Sequence, residues 1–128
     1  MRSSSSFFAH IGFNKQIDEN GRLVLNLPIT KELLTETGDI PTGLFSTMLD
    51  IIIGSTIAEE VQQSTSTLSL NLHYFNLKNL GPYTSTASIT YRDNKIITGE
   101  GIIRNTHGEI AAKAAGTFKI LSPATEGR

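Results

Sequence analysis

The chain has 128 residues, 38% hydrophobic and 18% charged, with a net charge of −1 and no cysteine. That is one domain's worth of chain with a real core, expected over residues 1–128. The near-neutral charge argues against the basic face of a nucleic-acid binder, and the lack of Cys excludes disulfides and thiol chemistry.

The three histidines, His10, His73 and His107, show no local metal-ligand spacing, so no metal is expected. Taken in order, Met1 to Phe13 has an apolar run too short for a signal peptide, broken by His10 and Gly12. Phe7 to Phe13 is expected to form a short helical turn laying Phe7, Phe8 and Ile11 on the core. Phe13 to Ile17 and Arg22 to Leu27 read as two strands around Asp18-Glu19-Asn20-Gly21, where Asn-Gly is a strong hairpin signal. In the second, Leu23, Leu25 and Leu27 alternate with Arg22, Val24 and Asn26, and Pro28 ends it. Thr30 to Leu34 reads as a helical turn capped by Thr30, and Gly38 to Ile40 as loop.

Pro41 to Gln62 is the only long segment that reads as helix, with Pro41 on its approach and Thr42 as an acceptable N-cap. Leu44, Phe45, Met48, Leu49, Ile51, Ile52, Ile53, Ile57, Ala58 and Val61 fall on nearly every side, which predicts a central, buried helix. Asp50 disagrees with that environment. Its neighbours three, four and seven residues away include Gly43, Ser46, Thr47 and Gly54, all small, with Ile53 and Ile57 further along. Two readings stay open: a structural carboxylate satisfied by hydroxyls or a cap, or a chemical group facing a groove where a ligand comes close. No segment is clean and long enough to span a membrane, and a cytoplasmic location is expected.

Ser64 to Thr67 bridges into sheet. Leu68, Leu70, Leu72 and Tyr74 then alternate with Ser69, Asn71 and His73, giving one buried and one polar face. After the turn from Lys78 to Pro82, Tyr83, Ser85, Ala87, Ile89 and Tyr91 face one way. Asp93-Asn94 closes a hairpin into Ile96 to Arg104, and Asn105 to Gly108 another into Ile110 to Ile120. In that last strand Ala112, Ala114, Gly116 and Phe118 share a side, small enough for the sheet to curve closely around the helix. The ends, 1–6 and 122–128, are expected to be flexible. The pattern predicts an α+β domain, a curved antiparallel sheet wrapped around one long central helix.

From about Gly12 to Ile120 the sequence resembles hotdog-fold acyl-CoA thioesterases of the phenylacetate-degradation (PaaI-like) group. The resemblance rests on the strand pair around Asn20-Gly21, the Glu32-Leu33 turn, Gly38, the helix with its Asp, and the closing run Gly108 to Ile120. The family carries His-Gly-Gly at the helix start, nine positions before its acid. Here Pro41-Thr42-Gly43 occupies that place, and Thr35 stands where the family has an upstream Asn.

The resemblance implies a hydrolase of acyl- or aryl-CoA thioesters, with coenzyme A as part of the substrate and no separate cofactor. It assigns Asp50 as base or nucleophile, the amides of Thr42 and Gly43 as carbonyl-polarising donors, and Ser64, Thr65, Ser66 or Thr67 as the orienting hydroxyls. Pro41, Leu44, Ser46, Thr47, Gly54 and Thr67 would line the substrate. The site would lie at the interface of a homodimer or homotetramer, with no nucleic-acid or membrane partner. Loss of the motif His leaves a second reading, a non-catalytic acyl-CoA or small-ligand binder, and an interaction scaffold is a third. Lys78, Arg92, Lys95, Arg104, Lys113 and Lys119 suit either coenzyme A phosphates or a solvated strand face. His73 reads as a solvated or interface residue.

Overall fold

A computed structural model describes residues 10–121 of the chain. The expected core contacts of Phe7 and Phe8, and the two expected flexible ends, lie outside these residues. The elements are β1 (Asn14–Ile17), β2 (Leu23–Leu27), a 3-10 turn (Lys31–Leu33), α1 (Thr42–Val61), β3 (Thr65–Tyr74), β4 (Tyr83–Arg92), β5 (Ile96–Arg104) and β6 (Ile110–Ile120). The strands form one antiparallel sheet in the order β1-β2-β4-β5-β6-β3. Turn chemistry sets the first pairing: Gly21 takes φ +80°, and Asp18 Oδ1 accepts bonds from the amides of Asn20 and Arg22 at 2.9 Å.

α1 lies against β2, β3, β4, β5 and β6, so the sheet wraps it. Leu44, Phe45, Met48, Leu49, Ile52, Ile53 and Ile57 are its buried side chains, each worth roughly 1.5–3 kcal/mol relative to exposure. Glycines make the approach close. A Cβ on Gly101 would sit 2.9 Å from Ile53, and one on Gly99 2.9 Å from the same side chain.

Four details depart from the sequence expectation. Pro41, not Thr42, is the N-cap; Thr42 is the first helical residue, and no side chain caps the start. Thr30 likewise makes no side-chain cap for the 3-10 turn. In β3 the register shifts between Thr67 and Ser69, leaving Leu68 out of step and 54% exposed instead of on the inner face. A similar shift between Ile89 and Tyr91 turns Tyr91 outward.

The helix start is anchored by its approach. The Ile40 amide donates to Leu77 O at 2.7 Å, while Asp39 bridges Lys78. The buried Tyr83 hydroxyl donates to Lys78 O at 2.8 Å and accepts from the Leu80 amide at 2.9 Å, and its ring meets Phe45 edge-on at 4.9 Å. At the other end Gln62 stops α1 in a left-handed conformation, φ 57°, with its amide on Ala58 O at 2.8 Å.

Candidate active site

The face of α1 turned away from the sheet is only partly covered. Asp50, Ile51, Gly54, Ser55 and Ala58 are half-buried there and form the floor of a cleft of about 1280 Å³. One wall comes from Phe13, Lys15, Leu23 and Leu25, the other from Thr65, Thr67 and Phe118. Glu59, Gln62 and Gln63 border the end of the cleft near the helix C-terminus.

Asp50 stands at the opposite end. Its Oδ1 accepts a bond from Thr67 Oγ1 at 2.8 Å. A carboxylate has about four acceptor positions, and Thr67 takes one of them. The bulge in β3 makes this contact possible, because Thr67 pairs with the inward-facing Phe118 once Leu68 is set aside. Ser66 consequently points away, is exposed, and pairs with Lys119; it does not line the cleft.

Thr65, Thr67 and Gly54 therefore share the cleft with Asp50, whereas Pro41, Thr42, Gly43, Leu44, Ser46 and Thr47 do not line it. Thr42 and Gly43 are exposed at the helix start, seven or eight residues before Asp50, which is roughly 10–12 Å along the axis. Leu44 is in the core, 9% exposed. Ser46 donates its hydroxyl to Gly43 O at 3.0 Å. A Cβ on Gly43 would meet nothing within 4 Å.

The cations singled out from sequence lie elsewhere. Arg92 pairs with Glu60 at 3.3 Å on the surface, and Arg104 donates to Gly108 O at 2.9 Å. His73 stacks on Phe75 at 6.4 Å, and His107 belongs to the β5–β6 turn. Among the described residues no group of three or more His, Asp or Glu is placed to hold a metal ion, and no helix is long and apolar enough to cross a membrane. Lys15, Phe13 and Phe118 escaped the sequence reading as site residues because each is far from Asp50 in sequence, Lys15 and Phe118 on strands and Phe13 just before β1. Only the inward alternation of Leu23, Leu25 and Phe118 hinted at it.

No protein-family model matches the chain. A Saccharolobus solfataricus protein provisionally named an esterase is 26% identical over 106 residues, 80% of this chain and 74% of that one. A Bacillus halodurans protein solved with coenzyme A superposes with a TM-score of 0.87 at 26% identity, covering 96% of this chain and 83% of that one. A Ralstonia eutropha protein, provisionally described as a thioesterase related to phenylacetic acid degradation, gives 0.78 at 22% identity over 90% and 89%. The chain has the hotdog fold, which it shares at 15% identity with a protein described as from the thioesterase superfamily.

Proposed function

We propose that the chain hydrolyses small-molecule acyl-CoA thioesters, with Asp50 as the base or nucleophile. The observation that carries this reading is the half-buried Asp50 carboxylate, opening on a cleft and held by a single hydroxyl at 2.8 Å. A purely structural carboxylate on a helix would gather several donors. Asp50 keeps acceptor capacity to hold a water and take its proton.

As a base, the carboxylate removes a proton while the water oxygen attacks the thioester carbonyl carbon. The tetrahedral oxyanion then collapses, the C–S bond breaks, and the thiolate leaves to be protonated. As a nucleophile, Asp50 would form the anhydride directly and water would cleave it. Stabilising the oxyanion falls to the uncapped first-turn amides of α1, Thr42 and Gly43. Because these lie roughly 10–12 Å along the axis from Asp50 of the same chain, they serve the Asp50 of a second copy. The active unit is then at least a homodimer. The coenzyme A held by the Bacillus halodurans neighbour, at 26% identity, supports the thiol half of the substrate.

Asp50→Asn tests the reading: turnover of acyl-CoA should fall about 100-fold or more, the scale of a lost positioned base, with the melting temperature held or raised. Turnover equal to wild type overturns the assignment. Pro41, standing where the resembled family has His, favours a second reading, an acyl-CoA binder without turnover. Wild-type protein that binds acyl-CoA and releases no free thiol would establish it.

A further inference from the structure

The direction of the cleft carries information about the acyl group. Every α1 residue that lines it lies at or beyond Asp50 toward the C-terminus, through Ile51, Gly54, Ala58 and on to Gln62. The apolar part is a track over Gly54 and Ala58, between Phe118 on one wall and Leu25 on the other. Beyond Ala58 the floor turns polar, with Glu59, Gln62 and Gln63.

Gly54 lies tight against the buried ring that also walls the cleft. A glycine inside a helix costs about 1 kcal/mol relative to Ala. At Gly99 and Gly101 a Cβ would run into Ile53 at 2.9 Å, so the fold itself requires those glycines. At Gly54 its nearest neighbour would be the edge of the Phe118 ring at 3.3 Å, and that ring also lines the cleft. The missing side chain lets that ring approach the helix, and ring and bare backbone together line the cleft one turn from the carboxylate.

We propose that Gly54 and Ala58 form a ruler selecting medium-chain, unbranched acyl groups. The proposal rests on the thioesterase reading of Asp50 and names its substrate class. With the carbonyl at Asp50, successive turns place Gly54 roughly 6 Å and Ala58 roughly 12 Å along the axis, the span of an extended chain of about eight to ten carbons. A shorter chain leaves the track uncovered, and a longer one carries methylenes onto the Glu59 and Gln63 end. An aryl group as compact as phenylacetyl covers only the Gly54 portion.

The test is a panel of butyryl-, hexanoyl-, octanoyl-, decanoyl-, hexadecanoyl- and phenylacetyl-CoA, read as kcat/KM. Each buried methylene is worth about fourfold, so octanoyl should exceed butyryl by at least about tenfold, with hexadecanoyl and phenylacetyl below decanoyl. Gly54→Leu should lower the octanoyl-to-butyryl ratio about tenfold or more. Ala58→Leu should spare the hexanoyl-to-butyryl ratio and lower decanoyl against hexanoyl. Gly54→Ala gives the same trend at smaller size should the leucine fail to fold. A flat profile, a phenylacetyl preference, or equal loss at every length in both variants overturns the ruler while leaving hydrolysis intact. Titrating Asp50→Asn with decanoyl- and butyryl-CoA in a calorimeter separates the two readings. Chain-length-graded binding by a protein whose wild type does not hydrolyse keeps the ruler and removes the hydrolase. Equal affinity for the two overturns the ruler.

Discussion

Two carboxylates of this chain are used in opposite ways. Asp93 Oδ1 accepts the amides of Lys95 and Ile96 at 2.7 Å each, closing the β4–β5 hairpin. The Ile96 amide, followed by that of Lys95, pulls its pKa below the ordinary value of 3.8. Because the folded-state value is depressed, the stabilisation is present above the unfolded value and disappears as pH falls through the folded one. Asp93→Asn should therefore melt below wild type at neutral pH and lose less on acidification, the two curves converging as pH falls through the folded-state value; thermal melts of both proteins from neutral pH downward check this. Parallel curves would mean that the charge contributes nothing to the turn. Asp50, by contrast, accepts one hydroxyl and faces a cleft. The Asp93-Asn94 turn was legible in the sequence because its donors are local. The partner of Asp50 was legible only as one of the four hydroxyls from Ser64 to Thr67, because it comes from 17 residues away and a bulge decides which of them faces the helix.

At the level of elements, α1 was legible as a whole and misread at its N-cap, which is Pro41 and not Thr42. An apolar run of this length announces a buried helix, and α1 does bury seven large side chains. The groove beside Asp50 and Gly54 was legible too; what the run hides is that the half-buried strip continues to Ala58, because Ile51 on that strip is as apolar as any core residue. Glycines sort the two faces. Gly101→Val should force Ile53 aside and destabilise by about 1–3 kcal/mol, the scale of overpacking. Gly43→Val meets nothing within 4 Å and should move the melting temperature by only a few degrees, yet abolish acyl-CoA binding if the first-turn amides approach the carbonyl. Denaturant melts and a ligand titration on both variants decide it. A large stability loss at Gly43 with binding intact would assign that glycine to packing.

At the scale of the molecule, β1 and β3 are the edges of the sheet, and the ten-residue β3 pairs with β6 on one side and leaves its outer side open among the described residues. Natural sheets rarely leave so long an edge open, and a two-fold continuation would cover it. It would also let the helix start of one copy meet Asp50 of the other. Co-expressing Asp50→Asn with Gly43→Val should then restore activity to about a quarter of wild type, because half of random dimers carry one intact site of two. Two inactive parents that stay inactive together, or a monomeric mass in sedimentation, would overturn the shared site.

The bulge at Leu68 has one more consequence, for how the site withstands change. Ser64, Thr65, Ser66 and Thr67 all carry hydroxyls, and the bulge decides which of them faces inward. A slip that carries Ser66 to the place of Thr67 would leave Asp50 meeting a hydroxyl, whereas the opposite slip would bring in Leu68. The contact is insured by redundancy of residue type against an error of register in one direction, toward the run of hydroxyls, and is lost in the other.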